Sequence, residues 1–147
     1  MNTRRRQLAS TPERGHERCD TFKRVLGRYK DAMDKAFYLE AITLMESLIS
    51  DRLESYMSRN IADNDYSFST LERLIRGLRR IETTSMPVDS IEAWKQQRNI
   101  LLHEMAKIEE GNYEPFDVKY KRAKQCAEDG LELFRVIDKI CRKSNSI

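Results

Sequence analysis

Little in this chain punctuates a turn. Its 147 residues hold five glycines and three prolines. An all-β fold needs turn signals at short, regular intervals, so that class is excluded, as is a glycine-rich loop cradling phosphate. Strand-like alternation and internal repeats are missing too. Histidine is just as rare, at two, and the three cysteines, Cys19, Cys126 and Cys141, show no C-x-x-C spacing. No Cys/His set for zinc and no paired-carboxylate site can be assembled, so neither a metal nor a cofactor is expected. The odd cysteine count and the lack of a signal-peptide pattern lead to the expectation of a reducing, cytoplasmic setting. Cys126 and Cys141 are expected to be small buried packing residues. No apolar run is long enough to span a bilayer, so no membrane partner is expected.

What the chain has in quantity is helix formers: Leu, Ile, Met, Ala, Arg, Lys and Glu. The length suits one domain with one core. Charged residues make up 35%, yet the formal net charge is only +3. That balance does not establish a nucleic-acid partner; where the basic residues cluster says more. Residues 1–18 carry Arg4, Arg5, Arg6, Arg14 and Arg18 with almost nothing to bury. They read as a mobile basic tail, with His16 inside it, ahead of a single helical domain over 19–147.

Helical periodicity begins near Asp20, with Phe22, Val25, Leu26 and Tyr29. Gly27 weakens this helix, and Asp31 either starts the next one or interrupts it. Residues 31–58 are expected to form the longest helix. One seam on it is Phe37, Ala41, Leu44 and Leu48; an adjacent one is Tyr38, Ile42, Met45, Ile49 and Tyr56. Two neighbouring seams imply a wide buried face. Glu40, Glu46, Ser50 and Glu54 lie largely outside them.

After a polar loop over 58–68, Ser69 and Glu72 resemble a capping box. The helix behind it buries Leu71, Leu74, Ile75, Leu78 and Ile81. Its outer face gathers Arg73, Arg76 and Arg80. They form either a footprint for RNA phosphates or an ordinary solvated face with a Glu72–Arg76 pair. Pro115 opens a last helix to about Arg142. Its inner face uses Phe116, Tyr120, Ala123, Ala127, Phe134, Ile137 and Cys141, and a basic stretch, Lys119, Lys121, Arg122 and Lys124, lies near its start.

Between those two lies the stretch with the most chemistry. Asp89 and Glu92 suggest its N-terminal box, and Ile91, Trp94, Leu101, Met105 and Ile108 recur at the period of one buried face. Where that series asks for an apolar residue, the chain has Arg98. An arginine on a core face is uncommon unless paired or used. Asn99 and His103, four apart, share one side of the helix, roughly 100–140° around from Arg98. A fixed cation, an amide and a group that titrates near neutral pH suit chemistry on a phosphodiester.

The run Arg98-Asn99-Ile100-Leu101-Leu102-His103 resembles the signature of HEPN domains, an arginine and a histidine separated by four to six residues, often with a polar residue after the arginine. The resemblance implies an all-α, up-down bundle of four or five helices, and a homodimer whose motif helices face each other. It implies metal-independent RNA cleavage in a toxin or anti-phage setting, with an antitoxin or regulatory partner possible in principle. Arg98, Asn99 and His103 would be the catalytic residues and RNA the substrate. Some HEPN toxins carry a tyrosine two residues past the histidine, where a partner nucleotidyltransferase modifies them; here Met105 holds that place. Ile100 lies on the far side of the helix from Met105, so this segment needs cover from more than one direction. The rival reading is a non-catalytic helical binding module for a protein or nucleotide partner, with Arg98 a buried cation paired to Glu40 or Glu46. An open Arg98 beside His103 in a basic cleft would favour the nuclease, and a sealed ion pair the module.

Overall fold

The computed structural model describes residues 12–61, 65–81, 84–106 and 114–145. Five helices account for nearly all of them: α1 (Pro12–Asp34), α2 (Tyr38–Asn60), α3 (Leu71–Arg79), α4 (Val88–Glu104) and α5 (Phe116–Asn145). The described residues contain no strand, as expected from the missing alternation.

The first helix starts earlier than its apolar pattern. Pro12 opens it, a position where proline's missing N–H costs nothing. Arg18, assigned to a tail by composition, belongs to the packed body: its guanidinium meets Asp51 at 3.2 Å and the Ser55 hydroxyl on α2. Arg4, Arg5 and Arg6 lie outside the described residues.

The break between α1 and α2 falls at 35–37 rather than at Asp31. The Phe37 N–H reaches back to the Ala32 carbonyl at 2.7 Å and the Ala36 N–H to Met33 at 3.1 Å. This is a Schellman-type end, and Ala36 takes the left-handed conformation (φ 59°) that such an end needs. Glycine would normally mark that position, so no sequence signal announced the turn. The longest helix is therefore α5, with 30 residues, rather than α2.

Contacts along the axes set the topology. Tyr120 of α5 donates its hydroxyl to the Ala36 carbonyl and packs on Tyr38, with ring centroids 4.9 Å apart. At the far end Arg52 lies 3.0 Å from Asp138, so α2 and α5 run parallel. Residues 18 and 28 of α1 meet residues 51 and 40 of α2, so α1 is antiparallel to it. On α4, Trp94 donates its indole N–H to the Cys126 carbonyl at 2.9 Å, and the Glu104 carbonyl accepts from Lys119 at 3.1 Å. That helix is antiparallel to α5. The result is an up-down bundle of α1, α2, α4 and α5, with α3 lying within the α2–α4 connection.

Packing follows the seams. Ile42, Met45, Ile49, Leu53 and Met57 on α2 are fully buried because α1, α3 and α5 all pack against it. A Cβ on Gly130 would stand 2.9 Å from Met45 Cγ and Trp94 Cζ2, so the α4–α5 approach depends on that glycine. Phe37 and Phe116, placed on buried seams by periodicity, are instead 53% and 59% exposed. Both occupy helix starts, where the apolar stripe runs on past the neighbouring helices.

Two caps differ from expectation. Thr70, not Ser69, caps α3, accepting from the Arg73 N–H at 3.2 Å, while the Ser69 N–H donates to Glu54. α4 has Pro87 at its N-cap and no side-chain cap; Asp89 and Glu92 are both held by Arg79 of α3. No helix among the described residues is long and apolar enough to cross a membrane.

Candidate functional site

Arg98 is nearly two turns before the end of α4 and points inward. Ile91, Trp94 and Leu101 on the same stripe are buried, which carries the guanidinium in beside α2 and α5. There Nη1 donates to Glu46 Oε2 at 2.7 Å, with side-chain exposures of 16% and 24%. Of the two carboxylates proposed from sequence, Glu46 is the partner; Glu40 pairs with Arg28 instead. The Nε of Arg98 is buried with no acceptor. One contact to Glu46 leaves most of the guanidinium's five donors for another acceptor.

Close by on α5 is Cys126. Burial pushes its thiol up to about 12, Asp129 adds to the rise, and the Arg98 charge opposes it. It stays a neutral packing residue at physiological pH, as its place on the inner face suggested.

His103 points the other way. It is exposed in the last turn of α4, while Asn99, one turn earlier on the same side, is half-buried. At about 100° per residue the Arg98 and His103 side chains project roughly 140° apart. Within this chain they do not converge on a single face. Ile100, within roughly 60° of His103, is 49% exposed, and Leu102 is exposed as well. The outward edge of α4 thus presents a branched apolar side chain beside an imidazole and an amide. Met105 is half-buried, and Ile108 lies outside the described residues.

The arginines of α3 stand elsewhere. Arg73, Arg76 and Arg80 are exposed, but Arg73 is held by the Ser69 hydroxyl at 2.8 Å and lies over the Tyr66 ring. Arg79 ties α3 to the first turns of α4, and His103 is at the other end of that helix. From Asp89 to His103 the rise along α4 is about 20 Å. A cleft at the α3–α4 junction, lined by Leu78, Arg79, Met86 and Asp89, shares that remote position. The basic start of α5 reaches the His103 turn: Lys119 Nζ donates to the carbonyl of Glu104, the residue after His103.

Among the described residues no group of three or more His, Cys, Asp or Glu is placed to hold a metal ion. No protein-family model, no curated protein and no solved structure matches this chain.

Proposed function

We propose that this chain is a HEPN-type endoribonuclease, working as a homodimer whose α4 helices face each other, in a toxin or defence role. The observation that carries it is the outward edge of α4. His103 stands in solvent beside the half-exposed Ile100, and Arg98 is held one turn earlier by Glu46. A two-fold arrangement would cover Ile100 and set two His103 side chains, with the guanidinium of Arg98 behind each, around one phosphodiester. The ribose 2′-hydroxyl attacks the adjacent phosphorus, and the bond to the 5′-oxygen breaks. His103 takes part in moving the proton from the 2′-oxygen to the departing 5′-oxygen. Arg98 stabilises charge on the non-bridging oxygens through the donors that Glu46 leaves unused, and Asn99 orients His103 or the phosphate. The products are a 2′,3′-cyclic phosphate and a 5′-hydroxyl. DNA, lacking the 2′-hydroxyl, is not cleaved.

The Arg98–Glu46 pair supports a second reading, the non-catalytic helical module in which that pair is purely structural. It is a paired arginine rather than an open one. It is also not sealed, since both side chains keep some solvent access. RNA cleavage by wild-type protein and by His103→Ala, in excess chelator, separates the two. The nuclease reading expects chelator-resistant cleavage that His103→Ala abolishes. Wild-type cleavage by a folded His103→Ala protein would sink it.

A further inference from the structure

At the end of the bundle where α4 finishes, three aromatic rings lie in contact, Phe116 stacked on Tyr120 and Tyr38 tilted against Tyr120 by 53°. Tyr38 and Tyr120 have centroids 4.9 Å apart, and Phe116 lies on Tyr120 at 5.5 Å with the planes 21° apart. Among the described residues Phe116 is the outermost ring, and it is 59% exposed. Phe37, 53% exposed, sits between Ala36 and Tyr38, both of which touch Tyr120. The support is rigid: the Schellman turn holds Ala36, and the Tyr120 hydroxyl holds the carbonyl of the same residue.

Two half-exposed phenylalanines present roughly 200–300 Å² of apolar surface. A stable protein partner needs about 800 Å² from each side, so this patch is too small to hold one. It is the right size for one or two flat rings. The surrounding charge suits an anionic chain: Lys119 and Lys124 flank Phe116 at roughly 60° and 80° around α5. Glu114 is taken up by Arg122, leaving Asp117 as the nearby acid on that helix. Lys119 also links the patch to the His103 turn through the Glu104 carbonyl. Phe68, at 86%, is more exposed, but it lies at the α3 end, and no ring among the described residues is paired with it.

We infer that Phe116, backed by Tyr120 and Tyr38, is a stacking platform for an unpaired base of single-stranded RNA beside the α4 site. This rests on the RNA reading of that helix. Stacking on an aromatic face is tolerant of base identity, so the platform positions the strand, with Lys119 and Lys124 meeting its phosphates, and does not select a sequence.

The probe is a short single-stranded RNA with 2′-O-methyl riboses, which cannot be cleaved, titrated by fluorescence anisotropy. Phe116→Ala and Phe116→Leu are each expected to weaken binding about tenfold, and Phe116→Trp to retain it. Wild-type affinity in Phe116→Leu would show that the site needs only apolar bulk and would overturn the inference, as would unchanged binding in Phe116→Ala or no binding by the wild type. A shift of Phe116→Ala to a smaller species in sedimentation would assign the patch to a second copy of the chain and overturn it too. Cleavage of unmodified RNA is measured in parallel. Cleavage with Phe116-independent binding sinks the platform alone; Phe116-dependent binding without cleavage keeps it and sinks the nuclease.

Discussion

Arg52 and Arg98 sit in nearly the same chemistry on either side of the middle of α2, where Arg52 and the Arg98 partner Glu46 are about 9 Å apart along the axis. Each is mostly buried, pairs with a carboxylate on a neighbouring helix and has an Nε with no hydrogen-bond acceptor. For Arg52 the carboxylate oxygen is 3.0 Å from that Nε yet accepts no hydrogen bond from it, so the contact is an ion pair only. The surroundings differ. Arg52 lies over the Phe22 ring, its partner Asp138 also holds Arg142, and Arg18, Asp51 and Ser55 form a second polar cluster nearby. Among the described residues no aromatic ring and no second ion pair meets Arg98 or Glu46, and further along α4 Ile100, Leu102 and His103 are exposed. The Arg52 site is closed by polar contacts among α1, α2 and α5. The other leaves apolar and titratable groups in water, where a partner or substrate can use them.

The widest separation between the two sites should be catalytic. His103→Ala is expected to lower RNA cleavage by at least ~10²-fold with an unchanged thermal melt, because the imidazole is exposed and fills no cavity. Arg52→Ala should leave the cleavage rate of the remaining folded protein intact.

Stability should show the reverse order. Arg52→Ala leaves Asp138, at 15% exposure, with the exposed Arg142 as its remaining ion-pair partner and strips the cation from Phe22, for an expected loss of about 3 kcal/mol in denaturant melts. Arg98→Ala strands Glu46 at 24% exposure, and about 2 kcal/mol is expected. An Arg98→Ala protein more stable than wild type would mean that the pair is net unfavourable and kept for function. Equal losses at both sites, in a protein that never cleaves RNA, would favour the structural reading of Arg98.

The thiols beside the two arginines sharpen the comparison further. Burial pushes Cys126 up to about 12 and Cys141 to about 11. In the native state neither should react with iodoacetamide near pH 8, whereas the exposed Cys19 should. A thiol kept neutral by folding contributes stability that is complete below its ordinary value of 9.0 and is lost as pH rises toward 11–12. Melting temperature should therefore fall across that alkaline window, and Cys126→Ala should reduce the slope.

The smallest effect belongs to α3. Replacing Arg73, Arg76 and Arg80 together is expected to flatten the salt dependence of RNA binding. An unchanged slope would leave that face as solvated surface.

Much of this could be read from the residues in order. Helical class, the buried stripe of α4 around Arg98, the inward cysteines and the small residues of α5 all follow from local propensity and a 3.6-residue period. The choice of Glu46 or Glu40 as partner, though, could not be made along the chain. Both are on α2, and the register of α4, whose Trp94 packs over Gly130 of α5 beside Met45 of α2, brings Arg98 to one of them.

The boundaries followed the same division. The α1–α2 turn uses an alanine in the left-handed region, and its stability comes from the hydrogen bonds it closes, including one from Tyr120 more than eighty residues away. The exposure of Phe37 and Phe116 was equally invisible, because periodicity reports which side of a helix a residue is on and not where the neighbouring helix stops. Residue type and spacing along the chain determined the helices, their apolar faces and the candidate Arg98, Asn99 and His103. Tertiary structure decided that Arg98 turns inward to a carboxylate while His103 turns outward to solvent, because only packing against α2 and α5 makes one side of α4 an interior.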